Sequence, residues 1–332
     1  FEGPVAGLRI GMTETGEFKA FMSAAEYDES KLDLVVAGTK DGIMMVEAGA
    51  NEVTEQEVID AMDFAFKAMQ PAIDLQLELA QKVGVTAKPF EIIKPNEEIQ
   101  SAVNAWVAGK LGANLRKAYP VRNQLVDELR EQMHAHFLES LGEEEFESHR
   151  HEYFDAFQMA VHADVRKGII EEQVRPDGRK MTEVRQLSSE TGFLPRAHGS
   201  SIFTRGVTQA VNIVTLAPLS YAQIVDTMER DGERRYMHHY NAPGWTVGEV
   251  KRLGSPGRRE IGHGYLAERA ILPMLPDEAD FPYAIRSVTE IMSQNGSTSM
   301  AATCSSCLAL LDAGVPLKRP VSGIAMGLML EG

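Results

Sequence analysis

Cysteine is scarce: Cys304 and Cys307 are the only two in 332 residues. That argues against a disulfide scaffold and fits a reducing cytosol. No second Cys/His pair stands near them, so their C-x-x-C spacing lacks the other half of a zinc site. The surrounding run SMAATCSSCLALLDAGV reads instead as one apolar helix carrying two buried or half-buried thiols. No apolar run approaches the roughly 18 residues of a membrane span. Basic residues are outnumbered, 33 Lys and Arg against 48 Asp and Glu, for a net charge of −15. A surface of that sign does not attract nucleic acid indiscriminately, although a local basic groove remains compatible with it. There is no Walker-type loop, dinucleotide fingerprint or H-E-x-x-H. The opening FEGPVAGLRIG has neither an initiator Met nor the basic start of a secretory signal, so the expectation is a piece cut from a longer chain.

What is present is an ordinary globular composition, 44% hydrophobic and 24% charged, in a length that suits two or three domains. The charge is unevenly spread. Residues 127–155 carry Glu143, Glu144, Glu145 and Glu147 among other acids, with only Arg130 and Arg150 against them. Residues 251–269 reverse the balance, with Lys251, Arg252, Arg258, Arg259 and Arg269 against Glu260 and Glu268. A phosphate ligand is expected at the second region, and the acidic run of the first is expected to be a solvated face.

Residues 4–48 read as strands, with LDLVVAG (32–38) and GIMMVEAG (42–49) punctuated by turn residues. Thr54 and Glu57 form a capping box ahead of a helix over 55–83. Pro89 and Pro95 break the pattern within Val85–Pro95. From 96 to 170 the sequence is helical throughout. From 174 onward it alternates: strands at GSSIFTRG, TQAVNIVTLA and RRYMHHYNA, helices near 258–272 and 299–313, a strand near 281–293 and a last strand from 321. That alternation predicts an α/β or α+β domain. One internal echo stands out: Pro4–Gly11 and Pro320–Gly327 share the skeleton Pro-Val-x-Gly-x-x-x-Gly.

Three clusters carry possible chemistry. In RAHGSSIFTRG, strand alternation would put Arg196 and His198 on one face, with Arg205 at the far end, although the string also suits a polar sheet face. GSPGRREIGHG delivers Arg258 and Arg259 to a helix start, with His263 one turn on. Guanidinium forks and helix N–H groups suit an oxyanion, the alternative being a solvated Arg pair with Glu260 as counter-ion. QNGSTSM places Ser297, Thr298 and Ser299 at a turn between strand and helix, either an anion cradle or a plain N-cap. Arg234–His239 interleaves basic and aromatic residues as single-strand stacking surfaces do, but adjacent His238 and His239 face opposite sides of a strand and make a poor metal pair.

Taken together, these strings resemble bacterial polynucleotide phosphorylase, most specifically GSPGRREIGHG and NGSTSMA in that order, with GFLPRAHGSSIFTRGVTQA, RPDGRKMTEVR and LALLDAGVPLKRPVSGIAMGLMLEG. The resemblance implies two RNase PH-like domains (ribosomal protein S5 domain 2-like, α/β in class) joined by an all-helical one. They would divide the chain into 1–80, 81–165 and 166–332, the last truncated. It also implies a cytoplasmic homotrimer that degrades single-stranded RNA 3′→5′ with inorganic phosphate, reverses to template-free polymerisation, and can join an RNA-degradation complex. Phosphate-site roles carry over to Arg258, Arg259, His263, Thr298 and Ser299, and RNA-path roles to Arg196, His198 and Arg205.

Mg²⁺ or Mn²⁺ serves the family through two aspartates that, by its pattern, lie past Gly332. Their first-copy positions fall at Phe21 and Tyr27, with Asp28 and Asp33 out of register as turn and strand-start residues. The expectation is therefore a piece that is weak or inactive alone and holds no metal of its own. The alternative is an inactive RNA-binding or assembly scaffold on the same fold.

Overall fold

A computed structural model describes residues 3–84, 94–228, 231–252 and 254–330. Four antiparallel strands open the chain: β1 (Ala6–Met12), β2 (Phe18–Ala20), β3 (Leu32–Gly38) and β4 (Ile43–Ala50), ordered β2-β1-β3-β4. Their period-two pattern turns Leu8, Ile10, Leu32, Leu34 and Val36 to one buried face. Over that face lies α2 (Glu55–Val83), which presents Ala61, Ala65, Met69 and Ile73 at four-residue spacing. The expected capping box is formed, with the Thr54 N–H donating to Glu57 Oε2 at 2.7 Å, and Gly84 ends the helix at φ 69°. The expected break over Val85–Pro95 falls mostly outside the described residues. A short helix, α1 (Ala24–Glu29), interrupts what the sequence suggested was all strand. Ser23 and Glu26 cap it reciprocally, a second capping box that was present in the sequence and passed over.

The middle is helical but not continuous. α3 (Glu97–Val107), α4 (Val121–Leu141) and α5 (Glu143–Ile170) pack around Val103, Met133, Phe137, Phe146 and Phe157. Glu143, Glu144, Glu145 and Glu147 are exposed, as expected of a solvated run. Arg116, in the α3–α4 connection, fastens to α5 through Asp164 at 2.6 Å. Gly168 makes room for it: a Cβ there would stand 2.4 Å from the guanidinium.

The remaining residues build a five-stranded sheet from β5 (Leu187–Thr191), β6 (Gly199–Arg205), β7 (Thr208–Ala217), β10 (Tyr236–Asn241) and β11 (Ala284–Ser293), ordered β10-β11-β7-β6-β5. Only β10 and β11 are parallel, and α6 (Arg258–Ile271) makes the crossover between them. A small hairpin of β8 (Gln223–Asp226) and β9 (Asp231–Arg234) precedes β10. After β11, α7 (Thr298–Asp312) runs back across β6 and β7 beside α6. At Gly199 a Cβ would stand 2.2 Å from the Ala309 carbonyl, so helix and strand meet without an intervening side chain.

The strand expected from 321 is not formed: residues 321–330 pair with no strand among the described residues. A strand exists only through its partner. Its echo Pro4–Gly11 lies on β1, which has β2 and β3 on either side. Only its start lies against α7, where Cys307 Sγ accepts the Val321 N–H at 3.1 Å and Cys304 Sγ the Gly323 N–H at 3.4 Å, and at its far end the Leu330 carbonyl accepts from Arg166 of α5. Cys307 is buried and Cys304 half-buried, on one helix face as expected.

Candidate anion site

α6 starts at Arg258, where Glu260 turns back to accept the Gly257 N–H at 3.0 Å. Glu260 is thus a cap rather than an arginine counter-ion. Arg258 is exposed at the first helical position. Arg259 and His263 are four residues apart and share a face, and Arg259 Nε donates to His263 Nε2 at 3.4 Å. The other ring nitrogen, Nδ1, is hydrogen-bonded to the hydroxyl of Ser299 at the start of α7. The two donor-rich turns therefore converge, bridged by a single imidazole. Tyr240 from β10 closes the group. Its ring stacks on His263 at 5.1 Å and 19°, and its O–H donates to Thr298 Oγ1 at 2.7 Å.

Donor balance assigns the protons. If His263 Nε2 accepts from Arg259, the neutral ring carries its proton on Nδ1 and donates it to Ser299 Oγ. The Ser299 proton is then left to point elsewhere. Burial first, and the neighbouring Arg259 second, hold His263 below its ordinary pKa, which keeps the ring neutral at pH 7.

The turn before α7 is not a plain N-cap. Gly296 and Ser297 are both left-handed, at φ 77° and 52°, and the Ser297 side chain makes no capping bond. Arg205 holds this turn from behind, its Nη2 donating to the Gly296 and Ser297 carbonyls at 2.9 Å each. Arg185 Nη1 donates to the Asn295 carbonyl at 2.7 Å, and Thr208 Oγ1 accepts the Asn295 N–H at 3.0 Å. With the carbonyls tied back, the N-terminus of α7 and its Thr298 and Ser299 hydroxyls form one donor-rich end. Near it opens a cavity of about 180 Å³ whose lining includes Arg259, His263, Tyr240 and Lys251 together with the acids Glu249 and Glu260, but not Thr298 or Ser299.

The first cluster is divided. Arg196 and His198 lie in the turn before β6, not on the strand face expected of them, because the strand begins only at Gly199. Both are exposed, and His198 Nδ1 accepts the Leu216 N–H at 3.0 Å. Arg205 is buried at the other end of this seven-residue strand, roughly 20 Å away at the usual rise. Tyr240, Arg185 and Thr208 escaped the sequence reading. Thr208 and Arg185 fall within the strings TQAVNIVTLA and RPDGRKMTEVR but were given no role there; register places Thr208 on β7 and Tyr240 on β10, and Arg185 lies just before β5.

Three family models match the chain: "3′ exoribonuclease family, domain 2" over residues 3–68, "Polyribonucleotide nucleotidyltransferase, RNA binding domain" over 98–180, and "3′ exoribonuclease family, domain 1" over 183–316. Proteins named polyribonucleotide nucleotidyltransferase align along all of it, at 44% identity in Halothermothrix orenii and 43% in Streptococcus gordonii. The chain belongs to the polyribonucleotide nucleotidyltransferase family. It spans about half the length of the curated relatives it matches, 48% and 46% of these two. The crystal structure of rice (Oryza sativa) Rrp46 aligns with 44% of this chain and 64% of that one, at 23% identity and a TM-score of 0.35. As in the family, RNase PH-type α/β architecture accounts for both sheet-bearing parts of the chain.

A divalent ion, which polyribonucleotide nucleotidyltransferases are expected to use, does not fit the donors present. No group of three His, Cys, Asp or Glu side chains gathers among the described residues, and Mg²⁺ needs carboxylate oxygens. At the first-copy positions, Phe21 is exposed at φ 58° and Tyr27 lies in α1 beneath the Arg9 guanidinium, 4.0 Å from its ring centre. Arg9 in turn grips both Asp33 oxygens, at 2.7 and 2.8 Å. Asp28 sits in α1 rather than in a turn. No helix among the described residues is long and apolar enough to cross a membrane.

Proposed function

We propose that the Arg259–His263–Ser299 group binds inorganic phosphate as co-substrate for 3′→5′ phosphorolysis of single-stranded RNA, with nucleoside diphosphates as products and template-free polymerisation as the reverse reaction. The observation that carries this reading is the convergence of two donor-rich turns, from separate helices, on one imidazole. In the forward direction a phosphate oxygen attacks the terminal phosphodiester, and the 3′-oxygen of the preceding nucleotide leaves. Nucleophile and target are both anionic, so the site must offset their repulsion. Arg258 and Arg259 supply charge, while the Thr298 and Ser299 hydroxyls and the first N–H groups of α7 supply preorganised donors. Arg196 and His198 stand at an exposed turn suited to an RNA backbone, whereas the buried Arg205 positions the cradle from behind. The Mg²⁺ or Mn²⁺ of this chemistry has no ligand set among the described residues.

In this reading residues 1–80 and 166–332 are parts of two RNase PH-like domains and 81–165 the helical domain between them. The protein works in the cytoplasm as a homotrimer, free or within an RNA-degradation complex. The test is phosphate-dependent release of nucleoside diphosphate from poly(A) by the full-length protein. Arg259→Ala is expected to lower the rate by about 10²- to 10³-fold, as loss of a preorganised oxyanion donor does. Wild-type rate and phosphate dependence in both Arg259→Ala and Ser299→Ala would refute the assignment.

A further inference from the structure

Tyr240 lies in neither of the two motifs that form the cradle, yet it touches both. It is buried on β10, with its ring against His263 and its hydroxyl on Thr298. α6 passes closely over it: a Cβ on Gly264 would stand 3.3 Å from the Tyr240 Cβ. The two contacts do different jobs. A flat ring against an imidazole fixes the plane of that imidazole, which must aim Nε2 at Arg259 and Nδ1 at Ser299 at once. A threonine hydroxyl has one proton and two lone pairs. With one lone pair accepting from the Tyr240 O–H, the Thr298 proton is not drawn back to Tyr240 and remains for another acceptor.

The same logic operates on Ser299, whose oxygen accepts from His263 Nδ1. Two parallel relays, Arg259–His263–Ser299 and Tyr240–Thr298, thus leave the protons of two neighbouring, buried hydroxyls uncommitted to these partners. A pair of donors at the start of α7 suits the unprotonated oxygens of an anion such as hydrogen phosphate or sulfate.

We infer that Tyr240 is a positioning residue of the phosphate site: its ring sets the plane of His263, and its hydroxyl commits Thr298 to donate to the anion. The inference rests on the phosphate reading above and adds a residue that neither motif contains.

The experiment is calorimetric titration of inorganic phosphate, and separately of sulfate, into the chain and its variants. Tyr240→Phe keeps the ring and removes the hydroxyl. It should weaken both anions about five-fold, the usual worth of one neutral hydrogen bond. Thr298→Ala should weaken them at least as much. In the double variant, Tyr240→Phe should add nothing further, because it acts through Thr298. Tyr240→Leu removes the ring as well and should cost more than Tyr240→Phe, with the excess vanishing when His263 is also Ala. Wild-type affinity in Tyr240→Phe, or additive losses in the double variant, would overturn the inference. Arg259→Ala separates the two levels of the argument. If neither the chain binds phosphate nor Arg259→Ala changes the titration, the phosphate reading itself fails; if Arg259→Ala weakens binding and Tyr240→Phe does not, only the role of Tyr240 falls.

Discussion

Over the first sheet, α2 lays Ala61, Ala65, Met69 and Ile73 against Leu8, Ile10, Leu32 and Leu34, and every one of these contacts is apolar in character. Over the second sheet, α7 brings Ser305 and Ser306 against Ser201, Asn212 and Thr289, all of them buried. Ser201 Oγ donates to the Ser305 carbonyl at 2.7 Å. Asn212 Nδ2 donates to Thr289 Oγ1 at 2.8 Å and Ser306 Oγ at 3.0 Å, and Ser287 Oγ donates to Asn212 Oδ1 at 3.0 Å. His238 Nε2 lies 3.1 and 2.9 Å from the same Thr289 and Ser306 hydroxyls. An apolar interface tolerates small slides of helix on sheet, but a polar one is satisfied only where each donor meets its acceptor. The second interface therefore fixes the position of α7, and with it Thr298 and Ser299, whereas the first has no such turn to place.

The strongest way to break this contrast is to damage the apolar interface. Met69 is fully buried, and Met69→Ala should cost about 2–5 kcal/mol in urea unfolding, the usual range for such a truncation. Phosphate affinity of the folded variant should stay within about two-fold of wild type, since a helix slide there does not reach the cradle. A large loss of phosphate binding at unchanged fold would show that the two interfaces are coupled.

Acid should act on the other interface. Burial pushes His238 down from 6.5 to about 4, with the Gly264 backbone offsetting part of the effect. The folded protein then keeps this ring neutral in a range where the unfolded chain binds a proton. Its contribution is complete above about pH 6.5 and is lost as pH falls toward 4, amounting to about 3 kcal/mol over that window. Urea midpoints measured at pH 7.5 and pH 5 should fall accordingly, and His238→Gln should flatten the difference. An unchanged slope in His238→Gln would assign the acid sensitivity to other groups.

The smallest effect sharpens the comparison by setting a baseline outside both sheets. Replacing Glu143, Glu144, Glu145 and Glu147 by Gln leaves the packed side of α5 intact, because all four are exposed. Phosphorolysis by the full-length protein should change by no more than about three-fold, as expected for solvated charges remote from a site. A loss near that of Arg259→Ala would make this acidic face functional.

Much of the fold was legible because its signals are local. Thr54 and Glu57 announced α2, the alternating Leu32–Gly38 run announced β3, and Gly257 with Glu260 fits the start of α6. The missed α1 had the same kind of signal in Ser23 and Glu26, hidden inside a stretch that otherwise reads as strand. The strand expected from 321 failed for a different reason. Alternation in Ile324, Met326 and Leu328 describes a chain ready to pair, but pairing needs a neighbour, and these side chains are exposed instead.

The candidate site divides along the same line. Adjacent Arg258 and Arg259 at a helix start and Thr298 and Ser299 in a hydroxyl-rich turn stood out as local clusters, while the resemblance implied the phosphate-site role of all five residues, His263 among them. Arg205 was marked too, but its burial, and so its grip on the Gly296 and Ser297 carbonyls, was not visible. Tyr240 looked like one more aromatic in a strand, because β-register and a helix crossing were needed to bring it between His263 and Thr298.

The sequence by itself determined most of the segments that become helix or strand, where most of them are capped, and which residue types are available to meet an anion. These follow from chemistry within a few residues of chain. The tertiary structure decided which of those residues meet. His263 joins a serine 36 positions away, Tyr240 a threonine 58 away, and Arg205 the carbonyl of a serine 92 away. Such contacts depend on sheet order, on the parallel crossover through α6, and on the polar interface that stops α7 at one place, none of which is written in any short window of sequence.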